Sequence, residues 1–208
     1  MLFRSVGDRI VGTITRTLPR SFNEAGESAL GDVLADGMLE AAINTPGGKA
    51  DLAFMNAGGI RGDLPEMPGQ SPSPVKYAQL FDVMPFANVV MVKSMSGELL
   101  LRMLETQFEV NRILQPSNGF TYSYDKSRPA GQRLDRASVK IHGVVVVPER
   151  IYRVASIDFI WNGGDGFDLL AAATDPVTVG GDVDVFAAYL TKHSPVAPGP
   201  QDRIHKQP

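Results

Sequence analysis

The sequence predicts a single α+β (mixed α/β) domain in which a mixed β-sheet is flanked by helices. Segments with helical periodicity are interleaved with segments of strand periodicity along the 208 residues. Hairpin signals interrupt that alternation, which favours a mixed sheet over a purely parallel one. No segment is rich enough in Gly and Ser to divide the chain, so one compact domain is expected.

Three segments are predicted to be helical. Residues 27–42 place apolar side chains at helical spacing, and the Pro-Gly-Gly sequence that starts at Pro46 ends the pattern. Ser96 is a suitable N-cap for a second helix, whose apolar face runs from Leu99 to Phe108. The third helix is predicted over residues 183–190.

The predicted strands are short and apolar or alternate between apolar and polar residues, and they cover residues 52–55, 88–95, 120–124, 139–141, 144–147 and 151–157. His142 and Gly143 form a plausible hairpin turn. Four prolines between Pro65 and Pro74 predict an exposed loop. We divide the chain into residues 1–10, a domain at 11–203, and a tail at 204–208.

Composition excludes several classes of function. The 20 Lys and Arg against 23 Asp and Glu give a net charge of −3, which argues against nucleic-acid binding. Cysteine is absent, and the three histidines are widely separated, so no zinc or histidine-rich metal site is predicted. No apolar stretch reaches the roughly 20 residues of a membrane-spanning helix, and the first ten residues do not resemble a signal peptide.

Two glycine-rich loops are candidate binding elements. Asn56 begins NAGGIR, where Gly58 and Gly59 allow close approach of a ligand and Arg61 offers donors for phosphate or carboxylate. The alternative is an ordinary turn with a solvated arginine. Asn162 begins NGGDGF, in which Asp165 is flanked by glycines; either Phe167 is held at the loop tip as a stacking surface or it folds back onto the core.

Other candidate residues lie outside these loops. Pro85 constrains the loop that carries Phe86, so this ring is expected to project and could sandwich a purine together with a second aromatic residue, whereas Phe81 is assigned to the core. Arg16 and Arg20 precede the first helix, and either could bind an anion or be solvated.

Together these segments resemble the C-terminal domain of the 5'-nucleotidase and UDP-sugar hydrolase family of metallophosphoesterases. The resemblance covers about residues 11–203 and implies that residues 1–10 are the remnant of an interdomain region. Its pieces occur in family order: AGESALGDVLAD, FMNAGGIRGDL, YAQLFDVMPFANVV, SGELLLRMLE, GFTYSYD, YRVASIDFIWNGGDGFDLL and VDVFAAYL.

The resemblance implies a substrate-binding domain that holds a nucleotide between two aromatic rings, Phe86 and Phe167. It also implies contacts from Asn56 and Arg61 to the base, ribose or phosphate, with a further phosphate-binding arginine, either Arg16 or Arg20. Gly58, Gly59 and Asp165 complete the expected substrate-binding set. Asp158 stands where family members often have Asn.

In the family, hydrolysis is performed by an N-terminal domain that holds two divalent metal ions. This chain lacks that domain's histidine-rich motifs, so it is expected to be a fragment, cut from a longer chain or made from a truncated gene, that binds nucleotides without hydrolysing them. The family implies a periplasmic or extracellular location. One alternative is a stand-alone nucleotide-binding or scaffold domain. Another is a small hydrolase that uses Asp63, Asp165 and Asp168 around one metal ion.

Overall fold

The computed structural model describes residues 6–207. Their strands are β1 (Ile10–Ile14), β2 (Leu52–Asn56), β3 (Ser73–Lys76), β4 (Val89–Ser96), β5 (Leu114–Pro116), β6 (Phe120–Tyr124), β7 (Leu134–Ile141), β8 (Val144–Val145), β9 (Ile151–Ile157), β10 (Thr174–Gly181) and β11 (Ile204–Lys206). The helices used below are α1 (Ala29–Asn44), α2 (Tyr77–Val83), α3 (Gly97–Glu109), α4 (Asp158–Trp161) and α5 (Asp182–His193). None of the helices in residues 6–207 combines the length and apolar character that crossing a bilayer requires.

A five-stranded sheet forms the centre of the fold, with strand order β10-β4-β9-β2-β5. Strands β2 and β9 are parallel, whereas the other neighbouring pairs are antiparallel. Every residue of β2 is buried, as expected for a strand covered on both faces. A four-stranded sheet, β11-β6-β7-β8, and the ribbon β1-β3 complete the architecture. The predicted α+β class with a mixed sheet is therefore confirmed.

The longest helices cover the central sheet and begin at serine N-caps, as the sequence indicates for α3. Ser28 Oγ accepts from the Gly31 N–H of α1 at 3.2 Å, and Ser96 Oγ accepts from the Leu99 N–H of α3 at 3.2 Å. Helix α1 contacts β2 and α5, and α3 contacts β4 and β7. The core between these layers contains large side chains that are less than 2% exposed, including Phe54, Phe120, Tyr122, Phe186 and Phe167.

Several elements differ from the sequence prediction. The segment predicted as a tail contains β11, whose Ile204 is 2% exposed and whose backbone pairs in parallel with β6. Strand β10, which is not predicted from the sequence, lies at the sheet edge with most of its residues exposed; its alternating segment, residues 177–179, is only three residues long and stands between Pro176 and two glycines. The assignment of Phe81 to the core is wrong, because this ring is 44% exposed and packs edge-on against Tyr77.

The C-terminal segment is attached to α1 by a buried charged cluster, which comprises Glu27, Asp32, Asp36 and Arg203. The Arg203 guanidinium donates to both Asp36 carboxylate oxygens, at 2.7 and 2.8 Å, and to the Pro116 carbonyl at 2.8 Å. The Glu27 carboxylate accepts from the backbone N–H groups of Arg203 and Ile204. Side chains of the domain thus satisfy the backbone at the start of β11.

Asp32 is the exception in this cluster, because it is 1% exposed and neither of its carboxylate oxygens accepts a hydrogen bond. Burial raises the pKa of Asp32 to about 9; the neighbouring carboxylates of Glu27 and Asp36 raise it as well, and only Arg203 lowers it. Asp32 therefore holds a proton at neutral pH, and the protonated carboxyl can donate to Glu27.

Candidate functional site

A cavity of about 850 Å³ opens beside the carboxyl ends of the parallel strands β2 and β9. Strand β2 ends at Asn56 and β9 ends at Ile157, so the loops that follow both strands meet at one edge of the sheet. This edge is where open α/β sheets commonly bind ligands. The residues that line the cavity are Arg20, Phe22, Gly26, Asn56, Ala57, Gly58, Gly59, Ile60, Arg61, Phe86, Asn88, Asn111, Arg112, Ile113, Lys126, Ile157, Phe159 and Asp165.

The NAGGIR loop forms the wall after β2, as a single 3₁₀ turn over Ala57–Gly59. A Cβ atom on Gly59 would lie 2.6 Å from Asn56 Oδ1, and one on Gly58 would lie 3.4 Å from Asp165 Oδ2. Only glycine at position 59 therefore leaves the Asn56 side chain in its present place. Both glycines bring backbone to the cavity surface.

Two arginines lie on the same side of the cavity and are connected through the backbone. Arg20 Nη1 donates to the Arg61 carbonyl at 2.8 Å, and the Arg20 N–H donates to Asp63 Oδ1 at 2.8 Å. The Arg61 N–H donates to the Val83 carbonyl, and its guanidinium lies over the Phe86 ring at 5.1 Å from the centroid. The loops that carry Arg20, Arg61 and Phe86 are thus fixed relative to one another.

The predicted stacking residue Phe167 does not reach the cavity. Its side chain is fully buried, because Gly163, Asp165 and Gly166 all have positive φ and turn the chain back into the core. The cavity is instead lined by Phe159, which is 45% exposed. The assignment of Phe167 to the stacking pair is therefore wrong, and the aromatic side chains that share the cavity with Phe86 are Phe159 and Phe22, the latter 51% exposed.

The environment of Phe159 explains its orientation. In the short helix α4, Ile160 and Trp161 are buried, and Trp161 Nε1 donates to the Met91 carbonyl at 3.2 Å. Asp158 Oδ1 accepts from the Phe159 N–H and the Val89 N–H, each at 3.0 Å. A Cβ atom on Gly164 would lie 2.5 Å from the Phe159 ring, so the ring rests on the glycine backbone.

Asp165 and Asn56 form the polar centre of the cavity. Asn56 Nδ2 donates to Asp165 Oδ2 at 2.9 Å, and Asp165 Oδ1 lies 3.8 Å from Arg112 Nε. Asn56 Oδ1 is buried and has no hydrogen-bond partner among residues 6–207. A buried hydrogen-bond acceptor without a donor costs free energy. This oxygen is therefore suited to accept a hydrogen bond from a bound ligand.

The cavity is cationic although the chain is acidic overall. Its lining includes four cationic side chains, Arg20, Arg61, Arg112 and Lys126, and a single carboxylate, Asp165. Within residues 6–207, Arg20, Arg61 and Lys126 form no ion pair with a carboxylate. The exposed Arg16, the alternative to Arg20 as an anion-binding residue, is not part of the lining. The arrangement can therefore bind an anionic ligand that has an aromatic part.

The three carboxylates considered for a metal-dependent hydrolase are not assembled into a site. Asp63 accepts the Arg20 N–H, Asp165 pairs with Asn56 and Arg112, and Asp168 is exposed. Across the described part of the chain, no group of three or more His, Asp or Glu side chains is placed to hold a metal ion. The residues present do not fit a catalytic metal centre.

Comparison with known proteins identifies the family. The family described as "5'-nucleotidase, C-terminal domain" matches residues 10–172. The chain belongs to this family. A 5'-nucleotidase-related protein of Glossina morsitans morsitans is 31% identical over 218 residues, covering 94% of this chain and 38% of that protein. The structure of a 5'-nucleotidase precursor from Thermus thermophilus superposes with a TM-score of 0.81 at 30% identity, covering 99% of this chain and 41% of the other.

Protein UshA of Escherichia coli is a further relative, 29% identical over 71% of this chain and 25% of its own length. The chain therefore spans well under half the length of these relatives, and its match is to the C-terminal domain of the 5'-nucleotidase family. The fold of that domain, as seen in the Thermus thermophilus structure, agrees with the mixed sheet and flanking helices found here.

Sequence reasoning missed several lining residues of this 5'-nucleotidase C-terminal domain, above all Phe159, Phe22, Arg112 and Lys126. For Phe159 a signal exists: it follows immediately after a buried strand, where a parallel sheet presents its loops. Arg112 and Lys126 lie in loops without any motif, and only the tertiary structure brings them to the cavity.

Proposed function

We propose that this domain recognises the nucleotide substrate of a metal-dependent 5'-nucleotidase, and that it does not hydrolyse that substrate alone. One observation carries the proposal: a single cavity presents three half-exposed aromatic rings, Phe22, Phe86 and Phe159, beside the guanidinium groups of two arginines that no carboxylate of residues 6–207 neutralises. This combination of groups suits a nucleobase and a phosphate.

The base is proposed to stack on Phe86 and Phe159. Each ring is about half exposed, with values of 51% and 45%, although large aromatic side chains are usually buried. Stacking of a base on an aromatic ring contributes about 1–3 kcal/mol. The Arg61 guanidinium above Phe86 stiffens that ring's position through a cation–π contact.

The phosphate is proposed to bind Arg20 and Arg61, whose planar guanidinium groups match the geometry of phosphate oxygens. The ribose hydroxyls are proposed to bind the Asn56–Asp165 pair, because a carboxylate accepts hydrogen bonds from hydroxyl groups and Asn56 Oδ1 has no partner. The substrate is thus oriented by groups on three loops.

Phosphoester hydrolysis requires that the attacking and leaving oxygens be activated. In the family this chain resembles, two divalent metal ions in an N-terminal domain supply that chemistry. The residues described here do not fit a metal site, so their contribution is to bind and orient the nucleotide. The proposal extends to the whole nucleotidase. Its role is nucleotide catabolism, its substrates include nucleotide-sugars such as UDP-sugars, and its location is periplasmic or extracellular.

Calorimetric titration with adenosine monophosphate tests the proposal. Phe86→Ala and Phe159→Ala are each expected to weaken binding by about tenfold or more, because each removes one stacking surface. Circular dichroism should show both variants folded, because both rings are half exposed. Absence of binding by the unmodified chain, or sustained phosphatase activity without another domain, would contradict the proposal.

Phe167→Leu is the matched control for the two ring variants. Its side chain is buried and outside the cavity lining, so we expect unchanged nucleotide affinity and a loss of about 1–2 kcal/mol in the free energy of unfolding. Urea denaturation measures the second quantity. A loss of nucleotide binding in folded Phe167→Leu would instead favour the stacking role predicted from the sequence.

A further inference from the structure

The cavity has a second cationic group of residues that the proposed phosphate site does not use. Arg20 and Arg61 come from the loops around residue 20 and after β2. Arg112 and Lys126 come from different loops, which follow α3 and β6, and both side chains line the same cavity. The two pairs therefore enter the cavity from separate parts of the fold.

Among residues 6–207, Arg112 and Lys126 make few side-chain contacts, and the Arg112 guanidinium donates only to the carbonyl of its neighbour Asn111, at 3.2 Å. Arg112 is 53% exposed, and its only carboxylate partner among the described residues is Asp165, at a long distance of 3.8 Å. An exposed pair of this kind contributes little to stability. The carboxylate nearest to Lys126 in sequence, Asp125, is occupied by Ser127 and Arg128. The Lys126 ammonium thus remains available to a ligand.

The position of Arg112 beside Asp165 indicates which part of a nucleotide this second pair would meet. In the proposed function, Asp165 and Asn56 bind the ribose hydroxyls. In other nucleotide sites a ribose 2'-oxygen that carries a hydroxyl is bound by a carboxylate, whereas one that carries a phosphate is accommodated by an arginine nearby. Arg112 is the arginine beside Asp165, and Lys126 adds a second positive charge in the same cavity.

We propose that Arg112 and Lys126 form a subsite for a second phosphate, carried on the 2' or 3' oxygen of the ribose. The ligand class is then a nucleoside bisphosphate with one phosphate at each end of the ribose. This inference rests on the proposed function, because it uses the orientation in which Asp165 faces the ribose. A phosphate at this position draws Arg112 away from its long contact with Asp165 and forms charge-assisted hydrogen bonds.

The test compares the calorimetric affinities of four ligands: adenosine monophosphate, adenosine 3',5'-bisphosphate, adenosine 2',5'-bisphosphate and adenosine diphosphate. At least one of the two bisphosphates is expected to bind about tenfold more tightly than the monophosphate at low ionic strength. Lys126→Ala and the double variant Arg112→Ala/Lys126→Ala are expected to remove this gain. The quantity compared among the variants is the ratio of bisphosphate to monophosphate affinity, because a general loss of positive charge in the cavity lowers both affinities together.

Lys140→Ala is the control for a general loss of positive charge, because Lys140 is exposed on β7 outside the cavity lining. It should preserve the bisphosphate preference. Bisphosphates that bind no more tightly than the monophosphate would overturn the subsite, and so would a gain that survives in the double variant. If adenosine diphosphate, and not the bisphosphates, showed a gain in affinity that depends on Lys126, the placement of the subsite at the ribose would be overturned. Failure of the proposed function is distinguishable, since no adenosine ligand would then bind.

Discussion

Replacing Arg203 by alanine is expected to lower the free energy of unfolding by about 2–4 kcal/mol. The guanidinium forms a bidentate pair with Asp36 and also donates to the carbonyls of Pro116 and Asp32. The side chains of Arg203 and Asp36 are only 13% and 18% exposed. Removal of the arginine leaves the Asp36 carboxylate without its cation, with the Asn118 N–H as a remaining donor, which costs more than the net contribution of the pair.

Urea denaturation measures this loss, and Arg136→Ala supplies the control. Arg136 pairs with Glu98 between two side chains that are about half exposed, so its removal is expected to change stability by about 0–1 kcal/mol. The double variant Arg203→Ala/Asp36→Asn should recover part of the loss, because it removes the stranded carboxylate. Equal effects of Arg203→Ala and Arg136→Ala would show that the C-terminal attachment is not a stability determinant.

The buried charged cluster that contains Arg203 also shows which parts of the fold can be predicted from the sequence. Helix α3 is predictable, because Ser96 and the apolar face from Leu99 to Phe108 lie within one segment. Strand β11 is not, because its three residues IHK have no periodicity, and its burial depends on β6, about 80 positions away in the chain. Backbone that is held in place by distant side chains such as Glu27 gives no local signal.

The same distinction holds for the candidate site. Asn56, the two glycines after it and Arg61 lie in one loop, so their local pattern is sufficient to place them together, and the structure places them in the lining of one cavity. The choice between Phe159 and Phe167 depends on the path of the intervening loop. Positive φ at Asp165, a residue other than glycine, helps to determine that path, and the motif NGGDGF alone is compatible with either ring facing outward.

Asp32→Asn is expected to stabilise the domain by about 1–4 kcal/mol near pH 8. The native protein holds Asp32 neutral in a buried site that already contains Glu27 and Asp36, with Arg203 as the one compensating cation. Asparagine has nearly the same shape, remains neutral at every pH, and its amide can donate to Glu27 as the protonated carboxyl does. Asp202→Asn, an exposed change in the adjoining segment, should leave stability almost unchanged.

The pH dependence of this effect separates it from simple repacking. The pKa of Asp32 is 3.8 in an unfolded reference and about 9 in the native domain, so between these values the native state binds more protons than the unfolded state. The contribution of Asp32 to stability is therefore complete below pH 4 and is lost as the pH rises toward 9, by at most about 1.4 kcal/mol per pH unit.

Denaturation at pH 4.5, 6 and 8 should show that the advantage of Asp32→Asn over the unmodified chain grows with pH. A constant advantage would contradict a protonated Asp32, because removal of a group that does not change its charge on unfolding cannot alter the slope of stability against pH.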